Sequence, residues 1–223
     1  MIKCQWCGKI CEEKSAYTQA LFPFMEEKEE NKVGVCAECM DKFMMPETCK
    51  NVTVELLKYP TDDDWIEIKR RALVTVGKES FCAPSLEWKK KILRARHSPL
   101  RYGLVSFFIK NLPYWVHAEL ARHHVGCEKY VKSQRNDRQK DYDRNAARQD
   151  APVNMIFDSN LESIMTIANK RLCNQATPEA RYVVKLMCHK LEEKCPEFEG
   201  LLVPYCKYWG RCQEMKPCGQ ANS

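Results

Sequence analysis

Within fourteen positions the chain sets Arg122-His123-His124 and Ser133-Gln134-Arg135, so two guanidinium groups, two imidazoles and a hydroxyl are close in sequence. Arginine presents a planar fork that reaches two oxygens of a phosphate at once, and neutral imidazole and hydroxyl groups add shorter-range donors. This composition points to a site that grips an anion. A simpler role for the Arg-His pair is compensation of a helix dipole, because cations suit a carboxy-terminal turn. A second chemistry is written in the cysteines. Cys4-x2-Cys7 and Cys36-x2-Cys39 are two knuckles, each able to place two thiolates on one tetrahedral zinc ion, with Cys11 and Cys49 as spare ligands. Cys206, Cys212 and Cys218 follow one another at a fixed interval near the carboxy terminus, and Cys173, on the turn after Arg171, is a candidate for a fourth ligand of zinc or an iron–sulfur cluster. Cys188, His189 and Cys195 are other candidates. For Cys82 and Cys127, burial as small apolar groups is the expectation.

The elements that must carry these groups follow from pattern. Leu104 to Ile109 is rich in β-branched and aromatic residues and predicts a strand. Asn111 is then expected to cap a helix from about Leu112 to His124, with Trp115, Val116 and Leu120 inward. Val52, Val54 and Leu56 alternate as a strand. Thr61 caps a helix whose first turn is Asp62-Asp63-Asp64 and whose inner face is Trp65, Ile68 and Ala72. Ser85 to Arg96 predicts another helix with Trp88 and Ile92 inward and Lys89-Lys90-Lys91 in solvent. The polar stretch from Asn136 to Asp150 has no apolar period and reads as a loop or edge segment. Val153 to Phe157 is a short strand, and Asn160 to Leu172 a helix with Leu161, Ile164, Met165 and Ala168 on one face. Thr177-Pro178 opens the last long helix, whose buried stripe is Val183, Val184, Met187 and Leu191.

The chain of 223 residues has room for a sizeable domain and a small module. Six of its fourteen cysteines fall in residues 1–50, which predicts a zinc-ribbon-like module there, folded by its metal, and an α+β domain over 51–223 with a cysteine-rich tail. The net charge of +6 leans basic without the concentration of a dedicated DNA binder. No charged-then-apolar leader opens the sequence and no apolar run reaches the ~20 residues of a membrane span, so the expectation is a soluble, cytoplasmic protein with reduced thiols.

The order of these motifs resembles the flavin-dependent thymidylate synthases over roughly residues 51–192. The residues that carry the resemblance are Arg96-His97-Ser98 to Tyr102, the strand with Phe107 and Phe108, Arg122-His123-His124, Ser133-Gln134-Arg135, Ala147-Arg148 with Pro152, and Asn160-Leu161-Glu162-Ser163 followed by Arg171, Ala176, Glu179 and Arg181. The family signature is Arg-His-Arg, seven residues, then Ser, with a further Ser at the third of the seven. Here His124 ends the triplet, Cys127 takes the inner Ser position, Lys132 the closing one, and Ser133 comes one place late. The resemblance implies an FAD-dependent reductive methylation of deoxyuridine monophosphate (dUMP) to dTMP, with methylenetetrahydrofolate as carbon donor and NADPH as reductant, in a homotetramer. It implies Arg171 as the catalytic group against the uracil ring. It assigns Arg122, Ser133, Arg135 and Arg148 to the nucleotide, and Ser98, Arg122, His123, His124 and Asn160 to the flavin. Glu119 stands where the family has Gln, Arg101 where it has Glu, Tyr102 where it has His, and Glu162 and Thr166 where it has Arg and Asn. These substitutions keep open a related flavin- and folate-dependent change of another pyrimidine nucleotide, such as hydroxymethylation. A non-catalytic zinc-bearing adaptor for protein or nucleic acid is a further alternative, with nucleic acid less favoured than a retained nucleotide pocket.

Overall fold

The computed structural model describes residues 2–3, 10–11, 45–139 and 142–218. The chain forms two compact units, Met1–Pro46 and Glu47–Ser223. In the first, β1 (Ile2–Lys3) pairs antiparallel with β2 (Ile10–Cys11). The paired knuckles Cys4, Cys7, Cys36 and Cys39 lie outside the described residues. Cys49 belongs to the second unit, where it is buried and burial pushes its thiol up to about 11. That setting makes it a core side chain of this unit.

The second unit is built on β3 (Thr53–Lys58), β4 (Leu104–Pro113), β5 (Cys127–Val131) and β6 (Pro152–Asn160), antiparallel in the order β3-β4-β6-β5. Alternation decides which face is covered. Val105, Phe107 and Ile109 of β4 and Val153, Met155 and Phe157 of β6 are buried on one side. The residues between them point the other way, and there Leu104 and Tyr130 are exposed. The buried face receives α1 (Asp62–Val74), α2 (Leu86–Ala95), α3 (Tyr114–Ala121), α4 (Leu161–Arg171), α5 (Pro178–Lys194) and α6 (Tyr205–Trp209), which share a single apolar core with the sheet.

Local chemistry explains the boundaries. Thr61 and Asp64 exchange side-chain and backbone hydrogen bonds in a capping box at the start of α1, and Ser85 caps α2. Arg96 ends α2 in a left-handed conformation (φ 51°). The expected inner stripes of α4 and α5 are all buried.

Several expectations are corrected. Asn111 caps nothing: it sits at φ 56° in an irregularity of β4, its N–H donating to Asn154 Oδ1 at 3.1 Å and its Nδ2 to the Asn51 carbonyl at 3.0 Å. The strand therefore continues to Pro113 and the helix is shorter, leaving Arg122 as its carboxy-terminal cap and His123 beyond it. Asparagine tolerates the left-handed region as readily as it caps helices, so residue type alone does not separate the two. Thr177 and Pro178 open α5 as expected, with no side-chain cap bond, and the Thr177 hydroxyl donates instead to the Glu119 carboxylate at 3.1 Å. Lys89 is not in free solvent: it lies 5.4 Å over the Trp65 ring and pairs with Asp62 at 2.9 Å. Lys90 likewise pairs with Glu199 at 3.1 Å. Cys82 is exposed, whereas Cys127 is buried as expected. Among its described residues the segment after β5 has a short 3-10 turn at Asn136–Arg138, in keeping with its polar sequence.

Candidate functional site

The end of β6 runs straight into α4, and Asn160 makes that corner. Its side-chain oxygen accepts from Ser163 N–H at 2.8 Å, capping the helix, while its own N–H donates to the Gly126 carbonyl at 2.9 Å. Gly126 is required there twice over. Its φ is +67°, and a Cβ on it would fall 2.2 Å from Asn160 Nδ2 and 2.5 Å from Ser163 Oγ. Ser163 Oγ in turn donates to the Val125 carbonyl at 2.7 Å, so the turn after α3 is stitched onto the first turn of α4.

A cavity of about 550 Å³ opens over this joint, lined by Arg101, Arg122 to Cys127, Asn160, Glu162, Ser163, Thr166, Ile167 and Lys170. Three cations, Arg101, Arg122 and Lys170, face it against the single carboxylate of Glu162, so its field is positive. Arg101 Nε meets Glu162 Oε2 at 2.6 Å, tying the 3-10 turn Ser98–Arg101 to α4. Within the wall, His124 Nδ1 lies 3.0 Å from the Arg122 carbonyl and Cys127 Sγ lies 3.4 Å from Ser159 Oγ.

His123 is the most perturbed group of the wall. Burial, then the charges of Arg171, Lys170, Lys129 and His124, lower its pKa from 6.5 to about 4. Lys129 also donates to the His123 carbonyl and stands 5.5 Å over the Phe157 ring. The imidazole is therefore neutral near pH 7.

Arg171 lies behind that imidazole and is not among the cavity-lining residues. Its Nε donates to His123 Nε2 at 2.9 Å, Nη1 to Glu119 Oε2 at 3.1 Å, and Nη2 to the Glu119 carbonyl at 3.0 Å. Thr177 Oγ1 completes the group by donating to the Glu119 carboxylate at 3.1 Å.

Of the residues singled out by sequence, Arg122, His123, His124 and Asn160 converge on the cavity. Ser98, Ser133, Arg135 and Arg148 do not line it. Arg135 pairs with Asp137 at 2.7 Å and Arg148 with Asp150 at 2.8 Å, each guanidinium meeting a carboxylate two residues on. Ser133 accepts from Arg135 N–H at 3.3 Å, and the amide of Gln139 donates to the Ser133 carbonyl. The sequence reading missed Gly126, Ser163 and Lys170 as parts of the site. The polar stripe Ser163, Thr166, Lys170 at helical spacing was the available signal.

Among the described residues no three histidine, cysteine, aspartate or glutamate side chains gather closely enough to hold a metal. Cys173 is buried, Cys206 and Cys212 are half-buried, and Cys218 is exposed. Desolvation raises the Cys173 thiol, with smaller contributions from Glu214, Cys218 and Cys206. No helix among the described residues is long and apolar enough to cross a membrane.

No protein-family model matches the sequence, and no curated protein does. Solved structures do match. Thymidylate synthase X (ThyX) from Helicobacter pylori, determined with FAD and dUMP, superposes with a TM-score of 0.54 at 17% identity, over 67% of this chain and 99% of that one. The fold is that of ThyX. The UMP/dUMP methylase PolB from Streptomyces cacaoi, bound with 5-Br dUMP, superposes with a TM-score of 0.52 at 14% identity, over 68% of this chain and 94% of PolB. The ThyX fold thus accounts for the α+β unit, and the identities are low enough that the likeness speaks for architecture alone.

Proposed function

We propose that the chain is a flavin-dependent enzyme that modifies a pyrimidine nucleotide, and that its reaction is the reductive methylation of dUMP to dTMP using methylenetetrahydrofolate and NADPH. The observation that supports this most is the convergence of Arg122, His123, His124 and Asn160 on one positive cavity at the β6–α4 corner of a ThyX fold. Cations aimed into a half-enclosed site suit a phosphate or diphosphate, and the neutral imidazole and the hydroxyls of Ser163 and Thr166 suit its sugar and ring. The donor set fits FAD: Arg101, Arg122 and Lys170 would meet its diphosphate, with His123, His124 and Asn160 beside them. Bound there, the flavin would supply the hydride that the transferred carbon requires.

The chain's own residues then bind and orient. Arg122 neutralises an anionic oxygen, Gly126 lets the backbone come close, and Asn160 holds the floor. Arg171, expected against the pyrimidine, acts through His123, which it holds from behind. Cys127 is buried against Ser159, in keeping with a reaction that needs no cysteine nucleophile. A homotetramer is the assembly that the resemblance implies. Light scattering would test it.

A second reading, a different change at the pyrimidine such as hydroxymethylation, is favoured by one observation. The resemblance puts Glu and Arg at the positions held here by Arg101 and Glu162, which are joined at 2.6 Å, and this exchange of residue types alters the donors and acceptors on the cavity wall. Purified full-length protein carrying flavin absorbance, and mass analysis of products from a panel of pyrimidine nucleotides with folate and NADPH, test both readings. Thymidylate alone supports the first. Colourless, folded protein that ignores flavin and nucleotide rejects both.

A further inference from the structure

The Glu119–Arg171–His123 chain has a direction. A guanidinium has donors and no acceptor, so the bond from Arg171 Nε to His123 Nε2 at 2.9 Å requires a lone pair on Nε2 and puts the imidazole proton on Nδ1. Arg171 is aimed at that nitrogen because its other two nitrogens are held by Glu119, one by the carboxylate and one by the backbone carbonyl. Glu119 is itself fixed by the Thr177 hydroxyl, and its ion pair with Arg171 is largely shielded, the side chains being 21% and 17% exposed. Glu119 ends no wall of the cavity. Its reach into the site is through two intermediaries.

We propose that Glu119 is a positioning residue: through Arg171 it fixes His123 as the Nδ1–H tautomer, so this imidazole offers a bound nucleotide oxygen a ring N–H donor and does not act as a base. The nucleotide as occupant rests on the function proposed above, whereas the tautomer does not. Glutamine at 119 would keep an amide oxygen for Arg171, so the charge matters less than the acceptor.

Long-range proton–nitrogen NMR of uniformly labelled full-length protein at pH 7 reads the tautomer directly, with His123→Gln assigning the signal. The wild type is expected to show His123 protonated on Nδ1 only. Glu119→Ala is expected to convert it to a mixture with the Nε2–H form, and Glu119→Gln to restore the single form, with circular dichroism confirming that each variant is folded. A wild-type spectrum dominated by Nε2–H overturns the proposal without any variant, as does an unchanged tautomer in folded Glu119→Ala. Should that variant not fold, Arg171→Met, which has no donor for Nε2, is expected to give the same mixture, and an unchanged tautomer in it overturns the proposal. Titration with dUMP separates the two ideas: a pure Nδ1–H signal that dUMP does not move leaves Glu119 in its role and removes the nucleotide from the cavity.

Discussion

His123 sets how this site answers to acid. Its unfolded counterpart takes up a proton as pH falls through 6.5, whereas the folded imidazole resists until about 4 because of its burial and its cationic neighbours. The unfolded state thus binds more protons in that window, and stability is lost as pH drops from about 6.5 towards 4 and is unaffected by this group above it. Urea unfolding at pH 7, 6 and 5 should show a decline that His123→Gln flattens, and parallel profiles would contradict this assignment. Arg122→Ala should weaken flavin or dUMP binding by about ten- to a hundredfold, from loss of a charge-assisted bond of about 1.5–3 kcal/mol, read by calorimetry. Gly126→Ala should cost at least about 1–3 kcal/mol, since the added methyl meets Asn160 Nδ2 at 2.2 Å and φ is +67°. Thermal melting would register it. The triplet Arg122-His123-His124 was legible as a cluster of donors next to a helix end, and the structure brings all three to the cavity wall. The neutralisation of Arg135 and Arg148 was also written in the sequence, as an aspartate two residues after each, but spacing alone does not say which partner a guanidinium takes. The contact of Arg171 with Glu119 spans 52 positions and could be had only from the fold.

At the scale of elements, the strands and helices were legible where periodicity was long. The buried stripes of α4 and α5 were read residue by residue, as was the capping box at Thr61. Thr61→Ala should cost about 1 kcal/mol, measurable by urea unfolding, because it leaves first-turn amides of α1 without their acceptor. Strand β5 went unread. Its Lys129 faces inward beside apolar neighbours, with its ammonium on the His123 carbonyl and over Phe157, so a half-buried lysine broke the alternation that would have marked a strand. The helix after β4 was started too early for a related reason: strand and helix meet there without a turn signal, and the asparagine between them answers to two conformations.

Across the whole unit, distant segments are tied by a few buried polar bonds. Trp65 Nε1 donates to Glu197 Oε1 at 2.8 Å, joining α1 to the turn after α5 in a region where Glu197 is only 5% exposed. Trp65→Phe keeps the apolar bulk and strands the acceptor, so chemical denaturation should show a loss of about 1–3 kcal/mol. No sequence pattern announces such a pair, since a lone glutamate after a proline reads as surface. At the corner at Asn160 a strand becomes a helix with no residue to spare, which fixes the chain length there. Adding or removing one residue there would turn the polar stripe of α4 by about 100° away from the cavity, a consequence of 3.6 residues per turn. Chemistry on this scaffold is therefore altered by exchanging side chains at constant length, not by changing the length of the corner. A scan of single-residue insertions should find tolerance in the polar stretch between Arg135 and Arg148 and none from Asp158 to Ser163.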